Sequence, residues 1–303
     1  MNQRRTDSES QRRLTRLVAL AARQDDVTAD VRANHDDNQW WPTWITDYRM
    51  RMLAAGWSTR ISYAMISTYS GVISHSAHVG FDALAEMSDA EITAIISPLG
   101  LPAARVRYLR SLASFLNDRD DSYMLEDDAT MVIADVAAHV AQASYKVAQC
   151  SLLYARGYHC GIIPVDSGMI TRLAPALGLE LSSGAIAHEQ MRTYLEAHAD
   201  TYGSHYAWLA HERHTVSLPE RTTPSWWLHL VLIYFKRRYL NREHPRVCRE
   251  RPFFCKQVMD CAHSPAMAWY DQSRGHRQHF TGHRRIPRWA PPPAARRCRA
   301  PYH

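Results

Sequence analysis

The chain has 303 residues, 46% of them hydrophobic and 22% charged, which excludes a wholly disordered protein and allows one large or two ordinary domains. No stretch approaches 18 apolar residues and the first residues carry no apolar core, so neither a membrane span nor a secretory leader is expected. The net charge of +6 is less than the eight arginines after Asp271, so the basic balance belongs to the C-terminal end and any nucleic-acid argument must rest on local features.

In chain order, residues 1–38 mix seven arginines with seven acids. A helix is expected over Arg12 to Ala22, with the remainder disordered. The ordered body starts at Asn38-Gln-Trp-Trp-Pro. From Trp57 to about Asn117 the reading is helical throughout, with Ile61, Met65, Ile66 and Tyr69 at helical spacing. Ser88 and Glu91 form a capping-box pattern that opens a helix. "SPLGLPAARVRYLRSLASFLN" places a glycine turn before a helix carrying Val106, Leu109, Leu112 and Leu116 on one stripe. Asp118 to Asp128 reads as an acidic loop, and Ala129 to Val140 as the next helix. Asp166 to Leu179 reads as a helix entered from a loop. "PSWWLHLVLIYFKRRYL" is an apolar helix ending in a basic run, which suits a helix C-terminus. From 263 to 303, His, Arg, Pro and Trp dominate without periodicity, as in a disordered basic tail or an out-of-frame product.

Two residues carry the chemical argument. Lys146 stands at the start of an apolar helix, where the helix dipole disfavours its charged form and favours the free amine that a Schiff-base nucleophile needs. The bland alternative is a lysine reaching into water. Asp166 follows Pro164-Val165 and suits an N-cap. A carboxylate fixed there and facing the lysine would also take a proton, activate water or stabilise a developing cation. There is no His-Glu-x-x-His pair and no glycine-rich nucleotide loop.

From about Trp57 to Cys261 these motifs, in this order, resemble the helix-hairpin-helix base-excision DNA glycosylases, the endonuclease III-like superfamily. "ISPLGLPAARVRYL" resembles that family's "I-x-P-x-G-x-x-x-x-K-A-x-x-L". "ASYKVAQC" resembles its "G-V-G-x-K-T-A" hairpin, with Lys146 and Ala148 on matching positions, and "PVDSGMITRL" resembles its "V-D-T-H-V-x-R" at Val165, Asp166 and Arg172. The resemblance implies an all-α, two-lobed fold: a middle lobe over 57–163 that carries the hairpin, and a second lobe of 38–56 plus 164–262. It implies a DNA glycosylase with AP-lyase activity acting on a flipped base, with Lys146 and Asp166 catalytic. Gln142, Ala143, Ser144, Tyr145, Tyr69 and Arg172 would then face double-stranded DNA. A cytoplasmic monomer follows by default, and the alternative is a non-catalytic DNA-binding descendant.

The departures are specific. The hairpin glycines fall on Gln142 and Ser144, and the family's base-stack glutamine falls on Tyr69, which could be a wedge or core. The family's iron–sulfur loop has four cysteines spaced C-x6-C-x2-C-x5-C. Here only Cys248, Cys255 and Cys261 are present, so a degenerate loop without a [4Fe–4S] cluster or other cofactor is expected. A zinc ion held with His244 is the less favoured option.

Overall fold

A computed structural model describes residues 2–38, 40 and 44–240. The loop cysteines, His244 and the tail lie outside the described residues. Among those described there is no strand, and the chain is a stack of helices. They are α1 (Asn2–Ala21), α2 (Asp25–His35), α3 (Tyr48–Trp57), α4 (Ile66–Val79), α5 (Phe81–Glu86), α6 (Asp89–Ile96), α7 (Pro102–Asn117), α8 (Asp121–Leu125), α9 (Ala129–His139), α10 (Tyr145–Arg156), α11 (Ala174–Leu177), α12 (Ile186–Thr201), α13 (Gly203–His214) and α14 (Ser225–Phe235).

Local chemistry sets most boundaries. The Ser88–Glu91 capping box forms as read: Ser88 Oγ accepts from Glu91 N, and Glu91 Oε2 accepts from Ser88 N. Asp47, Asp128 and Ser144 cap α3, α9 and α10 with side-chain oxygens. The expected continuous helix from Trp57 is instead interrupted over 58–62, where Arg60 takes a left-handed φ of 60°. The expected acidic loop contains α8, because Met124 is fully buried and anchors one short turn. The helix expected over Asp166 to Leu179 is a π-helical turn, Met169–Leu173, leading into α11. Pro175 has no N–H to give the carbonyl four residues back, which fits a widened turn just before it.

Two helices organise the interior. α10 buries Val147, Ala148, Gln149, Ser151, Leu152, Leu153, Tyr154 and Ala155, and packs against α3, α8, α9 and α12. α14 is mostly apolar, and all its residues but His229 are buried, as befits a central helix. It packs against α1, α2 and α12.

The N-terminal segment corrects the sequence expectation. Residues 1–38 were expected to be disordered apart from one helix, yet α1 and α2 both pack into the core. Leu14, Leu17, Val18, Ala21, Val27 and Val31 are all fully buried. Their helical spacing outweighs the high charge of the segment, because the charges lie on the opposite faces. α3 packs on α10 and α7, and α1 and α2 pack on α14. Trp57 Nε1 donates to Arg105 O (3.1 Å) and the Tyr108 hydroxyl to Met52 O (3.0 Å). Gly56 leaves room for the Tyr108 ring, where any Cβ would collide. No described helix is long and apolar enough to cross a membrane.

Candidate active site

The segment 162–165 leaves the loop after α10 and delivers Asp166 to the start of the turn Met169–Leu173, which packs on Lys236–Leu240. Three side chains hold it by its backbone. Ile163 N donates to Glu196 Oε1 (3.0 Å), Val165 N donates to Gln149 Oε1 (2.8 Å), and His188 Nδ1 donates to Val165 O (3.0 Å). Gln149 is fully buried, and its amide donates onward to Glu189 Oε1 (2.6 Å). Arg192, itself buried, bridges Glu189 (2.8 Å) and Glu196 (2.6 Å). Gln149 lies on α10 and the acids lie on α12, so this network ties the helix that carries Lys146 to the segment that carries Asp166.

Both Asp166 oxygens are engaged. Oδ1 accepts the Met169 N–H (2.9 Å), the N-cap role read from the sequence, and Oδ2 accepts from Lys236 Nζ. The Lys236 side chain is 3% exposed and that of Asp166 20%. Lys236 opens a second π-helical turn, Lys236–Leu240, which packs on the turn that follows Asp166. Burial pushes the Asp166 carboxyl upward. The Lys236 charge and hydrogen bond, the Met169 N–H and the Lys146 charge outweigh it and hold the group below the ordinary carboxylate range. Burial likewise lowers the Lys236 ammonium, against the pull of Asp166.

Lys146 stands at the helix start read from the sequence. It is exposed on the first turn of α10 and makes no hydrogen bond or ion pair among the described residues. Its charge bears on Asp166 and on Cys150, one turn further along. The direct partner of the aspartate is Lys236, which the sequence reading took for part of a basic helix end. The signal for it was the apolar run Leu230–Phe235 before it, since a lysine completing a buried helix is buried with it and needs a partner.

The hairpin between α9 and α10 keeps the backbone shape that glycines would favour. Gln142 is exposed and adopts a left-handed φ of 68°. Ala141 N donates to Ser111 Oγ (2.9 Å) and Ala143 N to Val140 O (3.0 Å), which fixes the turn on α7 and α9. Ser144 is exposed, Tyr145 half-buried, and Ala143 turns inward at 8% exposure. Arg172 is half-buried in the π-helical turn after Asp166, without a side-chain partner among the described residues. Tyr69 is fully buried, and its hydroxyl faces Trp40 O (2.9 Å) and Ala54 O (2.8 Å). It therefore packs the core and is not exposed to act as a wedge. Beside the hairpin lies a cavity of about 290 Å³ walled by Arg60, Leu101, Arg105, Tyr108 and Gln142. Three of its walls, Arg60, Leu101 and Gln142, have left-handed backbones. It includes neither Asp166 nor Lys146.

Two stability predictions follow from this geometry. Gln142→Gly is expected to stabilise the chain by about 1 kcal/mol in urea unfolding, whereas Gln142→Val destabilises it. Asp166→Asn leaves the Lys236 charge buried and is expected to cost on the order of 3 kcal/mol. Adding Lys236→Met to it is expected to restore part of that loss. The stabilisation from Asp166 has a definite pH window. Its folded pKa lies below the unfolded one, so the contribution is present above about pH 4 and fades as pH falls through the folded value. The acid limb of a stability–pH profile is therefore expected to flatten in the double variant.

Neither a protein-family profile nor a curated protein sequence matches the chain. Among solved structures, the fold matches an H. pylori 3-methyladenine DNA glycosylase, MagIII, in a crystal structure with bound 1,N6-ethenoadenine. The match has a TM-score of 0.51 at 13% sequence identity, and it covers 76% of this chain and 97% of that one. The hairpin leading into α10 and Asp166 sit within an all-α architecture of that kind. The chain therefore shares the all-α fold of that glycosylase.

Proposed function

We propose that this chain is a DNA glycosylase with AP-lyase activity that acts on a base flipped out of double-stranded DNA. The observation that carries the reading is an exposed, unpaired amine, Lys146, whose charge bears on a carboxylate held low in pKa, Asp166, within a fold like that of a DNA glycosylase. Asp166 has both oxygens bound by donors and a lowered pKa, so it is a poor proton acceptor and a good fixed anion. Its role in this reading is to stabilise the positive charge that develops on the sugar as the glycosidic bond breaks. Lys146 attacks C1′, releases the base and forms the Schiff base from which the strand is cleaved. Gln142, Ser144 and Tyr145 of the hairpin and Arg172 approach the DNA backbone in this arrangement. Base flipping supplies access to the bond, since neither group reaches it in a stacked duplex.

A second reading is a DNA-binding protein without catalysis. The buried Tyr69 favours it, because the expected wedge side chain is unavailable.

Borohydride trapping on duplex DNA with a single abasic site tests the first reading. A covalent adduct is expected with the full chain and is expected to vanish in Lys146→Ala. Salt-sensitive duplex binding without any adduct would support the second reading instead.

A further inference from the structure

The loop after α10, which leads into 162–165, brings His159 against the end of α2. His35 is the last residue of α2, and its side chain is only 1% exposed. Its Nδ1 donates to Asp36 Oδ1 (2.7 Å); a carboxylate only accepts, so the ring proton stands on Nδ1. His35 Nε2 is buried and has no hydrogen-bond partner among the described residues. With no acceptor beside it for a second proton, it is left as a lone pair. His159 Nδ1 is buried and unpartnered in the same way. Burial, and then the neighbouring His35, lower the His159 pKa against the pull of Asp36, so this ring too is neutral near pH 7. The two ring centroids lie 5.9 Å apart with planes at 49°, so the rings are neighbours that do not stack.

A buried nitrogen without a partner is rare in a folded chain and calls for an explanation. Here there are two, on adjacent rings, and no N–H···N bond joins them. One guest that accepts both lone pairs would satisfy both. A zinc ion bonded to each nitrogen at about 2.0–2.1 Å holds two imidazole centroids roughly 5–6 Å apart, which agrees with the observed separation. The surround agrees as well. A metal-bound histidine almost always gives its other ring N–H to a carboxylate, a carbonyl or water, which fixes the ring and raises its basicity. Asp36 does this for His35.

We propose that His35 Nε2 and His159 Nδ1 together bind one divalent transition-metal ion of the zinc class, with water in its remaining positions. Among the described residues no group of three or more His, Cys, Asp or Glu gathers to hold a metal, so the protein's share is these two imidazoles. Imidazole suits zinc and its neighbours among the transition metals, and a site with so few protein ligands binds loosely. Asp36 is a positioning residue, since it bonds to the ligand ring and not to the ion. The ion pins the end of α2 to the loop just ahead of the segment that delivers Asp166. It is a staple between two parts of the fold, and it stands whether or not the chain acts on DNA.

Zinc alone is the probe, on the full chain carrying Cys248→Ser, Cys255→Ser and Cys261→Ser, so that no thiolate of that loop competes. The protein is stripped with a chelator, and zinc affinity is read by competition with a chromophoric chelator. The parent is expected to bind zinc in the micromolar range and to melt at a higher temperature with zinc than without it. His159→Ala is expected to weaken the binding at least about tenfold and to abolish the rise in melting temperature. Asp36→Asn changes a side chain that is 83% exposed, so its urea midpoint in chelator is expected to match the parent's. Its zinc affinity is nevertheless expected to fall about tenfold, because the ring it orients is the ligand. A parent that binds no zinc in this range overturns the proposal, as it would if a water molecule bridged the two nitrogens. Zinc affinity that survives His159→Ala undiminished belongs to other residues and overturns it equally.

Discussion

The site depends on one ion pair, Asp166 with Lys236, closed where two π-helical turns meet. Two opposite charges withdrawn from water are costly, and the cost is offset only where the geometry is tight and the remaining hydrogen-bonding capacity is met. Both conditions hold for the carboxylate: Met169 N–H takes one oxygen and the ammonium the other. Two π-helical turns, one after Asp166 and one starting at Lys236, pack on each other to bring the groups together. Wide turns of this kind are uncommon and often mark sites. Behind them, Gln149, His188 and Glu196 hold the backbone of 163–165, so the carboxylate has little freedom to turn away.

That constraint divides the work between two lysines. Lys236 is buried and spent on the aspartate, which leaves the exposed Lys146 unpaired. A single lysine could not both neutralise the carboxylate and stay available as a nucleophile. The two come from different helices: Lys146 from α10, in contact with α3, α8, α9 and α12, and Lys236 from the end of α14, in contact with α1, α2 and α12.

Much of this was legible in the sequence, and the remainder was hidden for identifiable reasons. The helical class, the capping box at Ser88, the N-cap at Asp166 and the Lys146 helix start all rest on interactions between residues a few positions apart, and such patterns survive in a linear reading. Lys236 was misread because its partner is 70 residues away, and a basic run at a helix end has a sufficient local explanation. The packing of α1 and α2 was obscured by charge: composition suggested disorder while the spacing of Leu14, Leu17, Val18 and Ala21 pointed to a buried stripe. Tyr69 occupied the position of a stacking residue, but whether an aromatic at helical spacing faces core or solvent is decided by what packs on it. At Gln142 the sequence raised a doubt about the hairpin, and the backbone answers it, since the chain adopts the left-handed angle without glycine.

The central claim is that Asp166 works as a fixed anion held by Lys236. Carboxyl ¹³C NMR of aspartate-labelled full-length protein, titrated in acid, tests it most directly. The Asp166 resonance is expected to remain that of the ionised group below the ordinary aspartate value of about 3.9, and to lose that shift in Lys236→Met. A resonance that titrates at or above that value, or is indifferent to Lys236, would contradict the account.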